Sequence, residues 1–235
     1  FGSSLHFCSI FEGLQRNPTT MRLSRFATAC LSCGVAASAD IMLATFDGAP
    51  LTTHTWKQMN DPVMGGQSVG TFSVVDDLGI FDGQVVDVPF LAAPGFIKVD
   101  VVDSTSGRIF PDISSCSAIT LDVNASNDFA GYRFSFGTAH APNGTYHAYG
   151  YKANFAPSVG TFGTVSLPFQ SFTDYWDDAT GDAIKTCQDD AIYCPDATTL
   201  NDVRTISVWA EGVEGSVHLQ IRSIGATGCE TVFVA

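Results

Sequence analysis

From Ile41 onward the chain sets apolar and polar positions in short runs separated by Gly, Asp, Asn and Pro. The runs IMLATF, GTFSVV, GIFDGQVVDV, GFIKVDVV, AITLDV and GYRFSFG are rich in β-branched and aromatic residues. YHAYGYKANF, TFGTVSLPF, RTISVWAE and SVHLQIRSI continue the series. A period of two places alternate side chains on one face of a half-buried strand. In YRFSFG that face carries Tyr132, Phe134 and Phe136. In VHLQIRSI it carries Val217, Leu219, Ile221 and Ile224, with one irregular step. No stretch shows the helical period over a long span. About ten strands at roughly even spacing predict an all-β fold, an antiparallel β-sandwich or jelly roll. Eighteen Phe suit its core, and no internal repeat is visible.

One segment interrupts the rhythm. Residues 171–203, SFTDYWDDATGDAIKTCQDDAIYCPDATTLNDV, carry eight Asp and two Cys and have no strand signal. A loop of this length is more often functional than a plain connector.

The N-terminal part reads as a targeting segment. Arg22 and Arg25 follow Met21, an apolar run begins at Phe26, and Ala37-Ser38-Ala39 closes it. That order predicts a secretory signal peptide over residues 21–39. The run is too short for a membrane-spanning helix of about 20 residues. Residues 1–20 are then an upstream extension outside the fold, and residues 40–235 a single β-sandwich domain. An organellar transit segment, for mitochondrion or plastid, is the rival reading.

Charge narrows the partners. The whole chain has a formal net charge of −13, and residues 40–235 keep 8 basic against 23 acidic side chains. Nucleic acid and anionic membranes need a basic footprint that this composition lacks. Four cysteines remain in residues 40–235: Cys116, Cys187, Cys194 and Cys229. An even number behind a signal peptide predicts two disulfides, with three connectivities open. Cys187 and Cys194 form the natural local pair, which leaves Cys116 with Cys229. Asn124-Ala-Ser and Asn143-Gly-Thr are glycosylation sequons, usable only where exposed.

The stretch WKQMNDPVMGGQSVGTF, followed by GIFDGQVVDV and PGFIKVDV, resembles the opening of the complex I intermediate-associated protein 30 family. The later runs YHAYGYKANF, GTVSLPFQSF and HLQIRSI are similar to that family in the same order. The resemblance implies a galactose-binding-like jelly roll, in agreement with the strand pattern. Named members of the family are linked to mitochondrial complex I assembly and to plastid functions, and the family carries no established catalytic residues. The Cys-bearing acidic insertion at 171–203 departs from the named members.

Candidate chemistry is thin. There is no G-x-S-x-G, HExxH or phosphate-binding loop. In the opening stretch, Asn60-Asp61-Pro62 initiates a turn, and Gly65-Gly66 supplies positive φ or close backbone approach. These features describe a rigid cap on the sandwich. The functional alternative is a ligand site in which Asn60, Asp61 and Ser68 bind polar groups and Trp56 stacks on a sugar ring. Tyr175 and Trp176 in the insertion are either exposed stacking residues or a plug over the sandwich. Asp174, Asp177, Asp178 and Asp182 offer hard oxygens to a structural calcium ion, though not at EF-hand spacing. His140 and His147 flank a predicted hairpin turn and suggest a surface pair. The expected function is a non-catalytic secreted binding module for carbohydrate or glycoprotein. The alternatives are a protein-interaction or assembly factor and a carboxylate-dependent glycan hydrolase. The sequence implies no further cofactor and leaves the oligomeric state open.

Overall fold

The computed structural model describes residues 39–61, 65–101, 110–137, 150–177 and 180–230. Residues 21–38 of the expected signal peptide, Pro62–Met64, the His140 and His147 pair, Asn143 and Asp178 lie outside them, while Ala39 already belongs to the first strand. The strands are β1 (Ala39–Thr45), β2 (Trp56–Asn60), β3 (Val69–Val75), β4 (Leu78–Val85), β5 (Asp87–Val88), β6 (Ala93–Pro94) and β7 (Phe96–Val101). They continue with β8 (Ala118–Ala125), β9 (Tyr132–Gly137), β10 (Tyr151–Asn154), β11 (Gly163–Pro168), β12 (Thr205–Glu211) and β13 (Gly215–Cys229). A six-stranded antiparallel sheet runs β11-β8-β13-β4-β3, with β1 also on β13. A five-stranded sheet runs β10-β9-β12-β7-β2, and β5 pairs with β6 as a small hairpin. The two large sheets stack as a jelly-roll sandwich.

Alternation explains the core. Tyr132, Phe134 and Phe136 of β9 point inward with Ile206, Val208 and Ala210 of β12, and all are buried. From the other sheet come Leu121, Val123, Val217, Leu219 and Ile221. Each fully buried side chain of this size contributes about 1.5–3 kcal/mol relative to exposure. The irregular step in β13 is real. Pairing with β8 shifts register between Ile221 and Ser223, which returns Ile224 to the core side. A bulge of this kind bends the strand. It lets β13 pair with β4 through Ile221 and with β1 from Ser223 onward.

The opening stretch contains a strand that the alternation did not reveal. Trp56–Asn60 is β2, the edge of the five-stranded sheet, and Lys57 through Asn60 are exposed. An edge strand with no inward apolar run leaves no period-two signature. In the insertion, the described residues form two isolated bridges, a 3-10 turn at Ala191–Tyr193 and one short helix, α1 (Ala197–Asn201). Two disulfides, Cys187–Cys194 and Cys116–Cys229, close the insertion and tie the chain before β8 to the end of β13. Disulfides of this kind belong to an oxidising compartment.

Candidate functional site

Asn60 and Ser68 of the opening loop spend their polar atoms on nearby backbone, whereas the buried indole N–H of Trp56 has no hydrogen-bond partner among the described residues. Asn60 Oδ1 accepts from Gly70 N at 2.8 Å. Ser68 is buried, and its hydroxyl donates to Val86 O at 3.3 Å and accepts from Val86 N at 3.0 Å. Asp61 is 8% exposed. A Cβ at Gly66 would lie 2.3 Å from its carboxyl carbon, and one at Gly95 would lie 2.4 Å from Oδ2 and 2.6 Å from Ser68 Oγ. No side chain fits at either glycine while Asp61 keeps its place. Gly65 supplies the left-handed turn, with φ +83°. Trp56 is half-buried in an aromatic cluster, its ring 5.8 Å from Phe46 and 5.6 Å from Phe72. Ser68 and Asp61 therefore serve the fold at this position. Trp56 packs against its neighbours and does not stand out as a flat platform.

The insertion behaves differently. Thr173 pairs with the free edge of β10, its N–H and C=O bonded to Lys152 O and N. Trp176 is 3% exposed, so it is a plug and not an exposed stacking residue. Its ring lies 3.5 Å from Lys152 Nζ, and its indole N–H reaches Gly150 O at 3.5 Å. Tyr175 is half-buried and stacks on Tyr193 at 5.6 Å.

Beneath this segment lies a charged sheet face. The strand registers align Lys152, Ser135, Ser207, Asp100 and Lys57 in one row, and Asn154, Arg133, Trp209, Lys98 and Met59 in the next. These residues point away from the core, yet Lys98, Asp100, Arg133, Ser135, Lys152, Ser207, Trp209 and Glu211 are all buried. Buried charge is tolerated only when paired. Lys152 Nζ lies 2.6 Å from Glu211 Oε1, Arg133 Nε 3.6 Å from the same oxygen, and Lys98 Nζ 2.9 Å from Asp100 Oδ2. Ser207 Oγ donates to Asp100 at 2.5 Å and Trp209 Nε1 donates to Ser135 Oγ at 2.8 Å. The Trp209 ring has Lys98 and Lys152 at 4.6 Å and 4.3 Å, within cation–π range. Arg133 ties the insertion to the sheet by donating to Gly181 O (2.9 Å), Thr180 O (3.3 Å) and Asp182 Oδ1 (2.9 Å).

At the end of this face is a hollow of about 330 Å³, walled by Asn127, Asp128, Phe129, Asn154, Phe155 and Pro157. Phe129 and Phe155 form its aromatic base, and the buried Tyr132 packs against both. Phe129 meets Tyr132 edge-on at 5.0 Å, and Tyr132 stacks on Phe155 at 5.6 Å. Burial pushes the Tyr132 phenol up to about 12, against a hydrogen bond from His218 N, while the Asp82 charge raises it further. Asp128 and Asn154 are exposed at the rim. Asn127 is pinned by its amide donating to Ser216 O at 2.7 Å, while its buried Oδ1 has no protein partner. A smaller cavity of about 220 Å³ adjoins it across Asn154.

The aspartates proposed for calcium do different work. Asp177 Oδ1 accepts from Thr180 N and Oγ1, Asp182 pairs with Arg133, and Asp174 is buried. Among the described residues no group of three or more His, Cys, Asp or Glu side chains could hold a metal ion. Asn124 is half-buried on β8, between β11 and β13, and its amide donates to Gln220 Oε1 at 2.9 Å. The exposure that a glycosylation sequon needs is not met there, because the acceptor nitrogen is engaged across the sheet.

The model for the Complex I intermediate-associated protein 30 family matches residues 45–190. The chain belongs to that family. No curated protein shows significant similarity to it. Among solved structures it is similar to the family 11 carbohydrate-binding module of a cellulosomal cellulase of Clostridium thermocellum. The identity is 15%, over 84% of this chain and 98% of that one, with a TM-score of 0.51. A second structure of a family 11 module from that organism, in complex with a β-1,3-1,4-mixed-linked tetrasaccharide, matches at 15% identity, over 82% and 98%, with a TM-score of 0.48. An agarase matches at 10% identity over 82% of this chain but 26% of its own, with a TM-score of 0.45. The first of these likenesses, at a TM-score of 0.51, agrees with the jelly-roll fold.

For this family member, the structure joins two of the sequence motifs into one unit. The Asn-Asp-Pro-Val-Met-Gly-Gly loop and the Pro-Gly-Phe strand meet where Asp61 sits against Gly66 and Gly95. The residues that build the charged face and the hollow, Asn127, Asp128, Arg133, Lys152, Asn154 and Glu211, were not singled out from the sequence. Their signal was weak but present. Of eight Lys and Arg in residues 40–235, four occupy alternate positions on β2, β7, β9 and β10.

Proposed function

We propose that this family member is a non-catalytic, secreted carbohydrate-binding module whose ligand docks in the hollow beside Asn154. The observation that carries the reading is the composition of that hollow. An aromatic base lies under a rim of Asn127, Asp128 and Asn154, and Asn127 Oδ1 is a buried acceptor without a protein partner. Sugars present an apolar C–H face and a ring of hydroxyls, which suits aromatic floors with a few placed amides and carboxylates. The fold, shared with a carbohydrate-binding module, agrees with this reading without fixing the ligand. The two disulfides and the signal-like N-terminal segment support secretion.

The test is retardation of the protein in affinity gels containing neutral and charged polysaccharides, repeated with Asn154→Ala. Binding that falls about tenfold or more in that variant supports the site, since one lost hydrogen-bonding group commonly costs that much. Retardation by no polysaccharide would overturn the reading.

One observation favours protein interaction as a second reading. Phe90 is 78% exposed and Leu91 42% exposed at the tip of the β5–β6 hairpin. A large apolar side chain held in solvent on a turn suits a protein contact. Cross-linking from position 90 that recovers one protein, with no glycan bound, would favour it.

A further inference from the structure

The hollow beside Asn154 is closed on the side that would carry a long sugar chain. A polysaccharide held along many sugars needs an open face on which successive rings can lie. From Asn154 that surface would be the outer face of the five-stranded sheet, and the insertion rests directly on it. A Cβ at Gly181 would lie 2.3 Å from the carboxyl carbon of Glu211, and one at Gly212 would lie 2.4 Å from Thr180 O. Packing this close leaves no layer for a ligand. The charges beneath are matched to one another, Lys152 to Glu211 at 2.6 Å, Lys98 to Asp100 at 2.9 Å and Arg133 to Asp182 at 2.9 Å. The smaller cavity across Asn154 does not prolong the hollow, because Lys152, Thr173 and Trp176 in its wall are all buried. On the other side, further along the segment that follows β10, Phe162 is not an open platform. The Arg222 guanidinium lies 3.8 Å from its ring centre, and Asp122 holds that guanidinium at 2.6 Å.

What stays open is a short cleft between the β8–β9 turn and the segment after β10. Its volume of about 330 Å³ lies at the lower end of the range of about 300–1,000 Å³ for small-ligand sites. Its exposed wall is made of Asp128 and Asn154 with the methyl groups of Ala130 and Ala156. Asp128 is the one charged residue among the described residues that line it. A carboxylate there accepts hydrogen bonds from sugar hydroxyls and repels a uronate or a sulfate ester. The net charge of −13 acts in the same direction.

We infer that the module recognises the end or a short side branch of an uncharged glycan, about one to two sugars long, and not an internal run of a polysaccharide. This rests on the carbohydrate reading above and deepens it. The terminal ring enters the cleft with its hydroxyls toward Asp128 and Asn154 and its C–H face along Ala130 and Ala156. The rest of the chain leaves into solvent, because the insertion fills the sheet face that would have held it. Length beyond the terminal unit therefore adds no contact.

The experiment places the full disulfide-bonded chain on an array of immobilised glycans. Each disaccharide is shown at a free end, on a side branch and inside a longer chain, with mixed-linked β-glucan fragments, agarose fragments and acidic ends included. The expected signal follows an uncharged end, whatever chain carries it. In calorimetric titration that disaccharide and a hexasaccharide ending in it bind within about threefold of each other. Ala130→Trp fills the cleft from an exposed position and lowers both affinities about tenfold or more. Ala183→Trp, at an exposed position in the wall of the neighbouring cavity, lowers neither. A larger gain for the hexasaccharide overturns the inference while leaving the carbohydrate reading in place, and so does a preference for acidic ends. Equal losses in the two Trp variants contradict the closure of the sheet side and overturn it as well. No signal from any glycan, with no retardation in the affinity gels, overturns both readings.

Discussion

The opening loop and the acidic insertion invite opposite expectations and reverse them. The loop, Asn60 to Ser68, is dense in recognisable residues, and its polar atoms close on the backbone around it. The insertion carries no motif, but it supplies Trp176, Thr173 and Ala183 to a cavity wall and is held down by a buried arginine. A local motif can specify a shape that the chain needs nearby. A binding surface arises where distant segments meet, and such meetings leave little trace in a local pattern.

The largest expected effect breaks the insertion's hold. Glu211→Ala leaves Lys152 and Arg133 buried without their shared carboxylate, and should cost about 3–5 kcal/mol in denaturant unfolding. A cost near zero would mean the face is more hydrated than its burial implies. Next, replacing Cys187 and Cys194 by Ser should cost about 2–3 kcal/mol by the loop-closure argument. Hydrogen exchange should quicken in residues 173–186 and stay unchanged near Gly70. Equal quickening in both places would mean that the two regions are not separate units.

The loop is tested by Gly95→Ala, which presses a methyl group into Asp61 and Ser68. Overpacking of this kind costs about 1–3 kcal/mol. The cost should shrink in an Asp61→Ala background, and strict additivity would contradict the architectural role given to Asp61.

The smallest effect is a titration. Burial pushes both Tyr132 and Tyr151 up to about 12, and the charges of Asp174 and Asp196 add to the rise at Tyr151. Folded values above the ordinary value of about 10 mean that both phenols stabilise the fold fully below pH ~10. That contribution disappears as the pH rises towards 12. Absorbance titration should show Tyr132 and Tyr151 ionising late. Asp174→Asn should advance Tyr151 alone, since Asp82 is the charge that acts on Tyr132.

Much of the fold was legible because alternation reports burial on one face. Phe134 and Phe136 showed their direction, and Ile224 revealed the bulge in β13. Strand β2 was hidden because an edge strand with exposed Lys57, Gln58 and Met59 has no apolar face to display. The charged face was hidden for the opposite reason. Lys98, Arg133 and Lys152 sit at the alternate positions where solvent-facing residues belong. They are buried all the same. For Arg133 and Lys152 the cover, Gly181 and Trp176, lies from 24 to 48 residues further along the chain. Proximity in sequence proposed Cys187–Cys194, elimination left Cys116–Cys229, and the geometry contains both. The hollow could not be proposed, since Asn127 and Phe155 are ordinary loop residues until the ends of β8 and β10 bring them together.

The most direct measurement is chemical-shift mapping of the labelled protein titrated with oligosaccharides from whichever polysaccharide retards it. The account predicts that shifts gather at the amides of Asn127, Asp128 and Asn154, with little change at Gly66 and Gly70. Shifts centred on Asn60 to Ser68, with the β10 side unmoved, would contradict it and return the binding site to the opening loop.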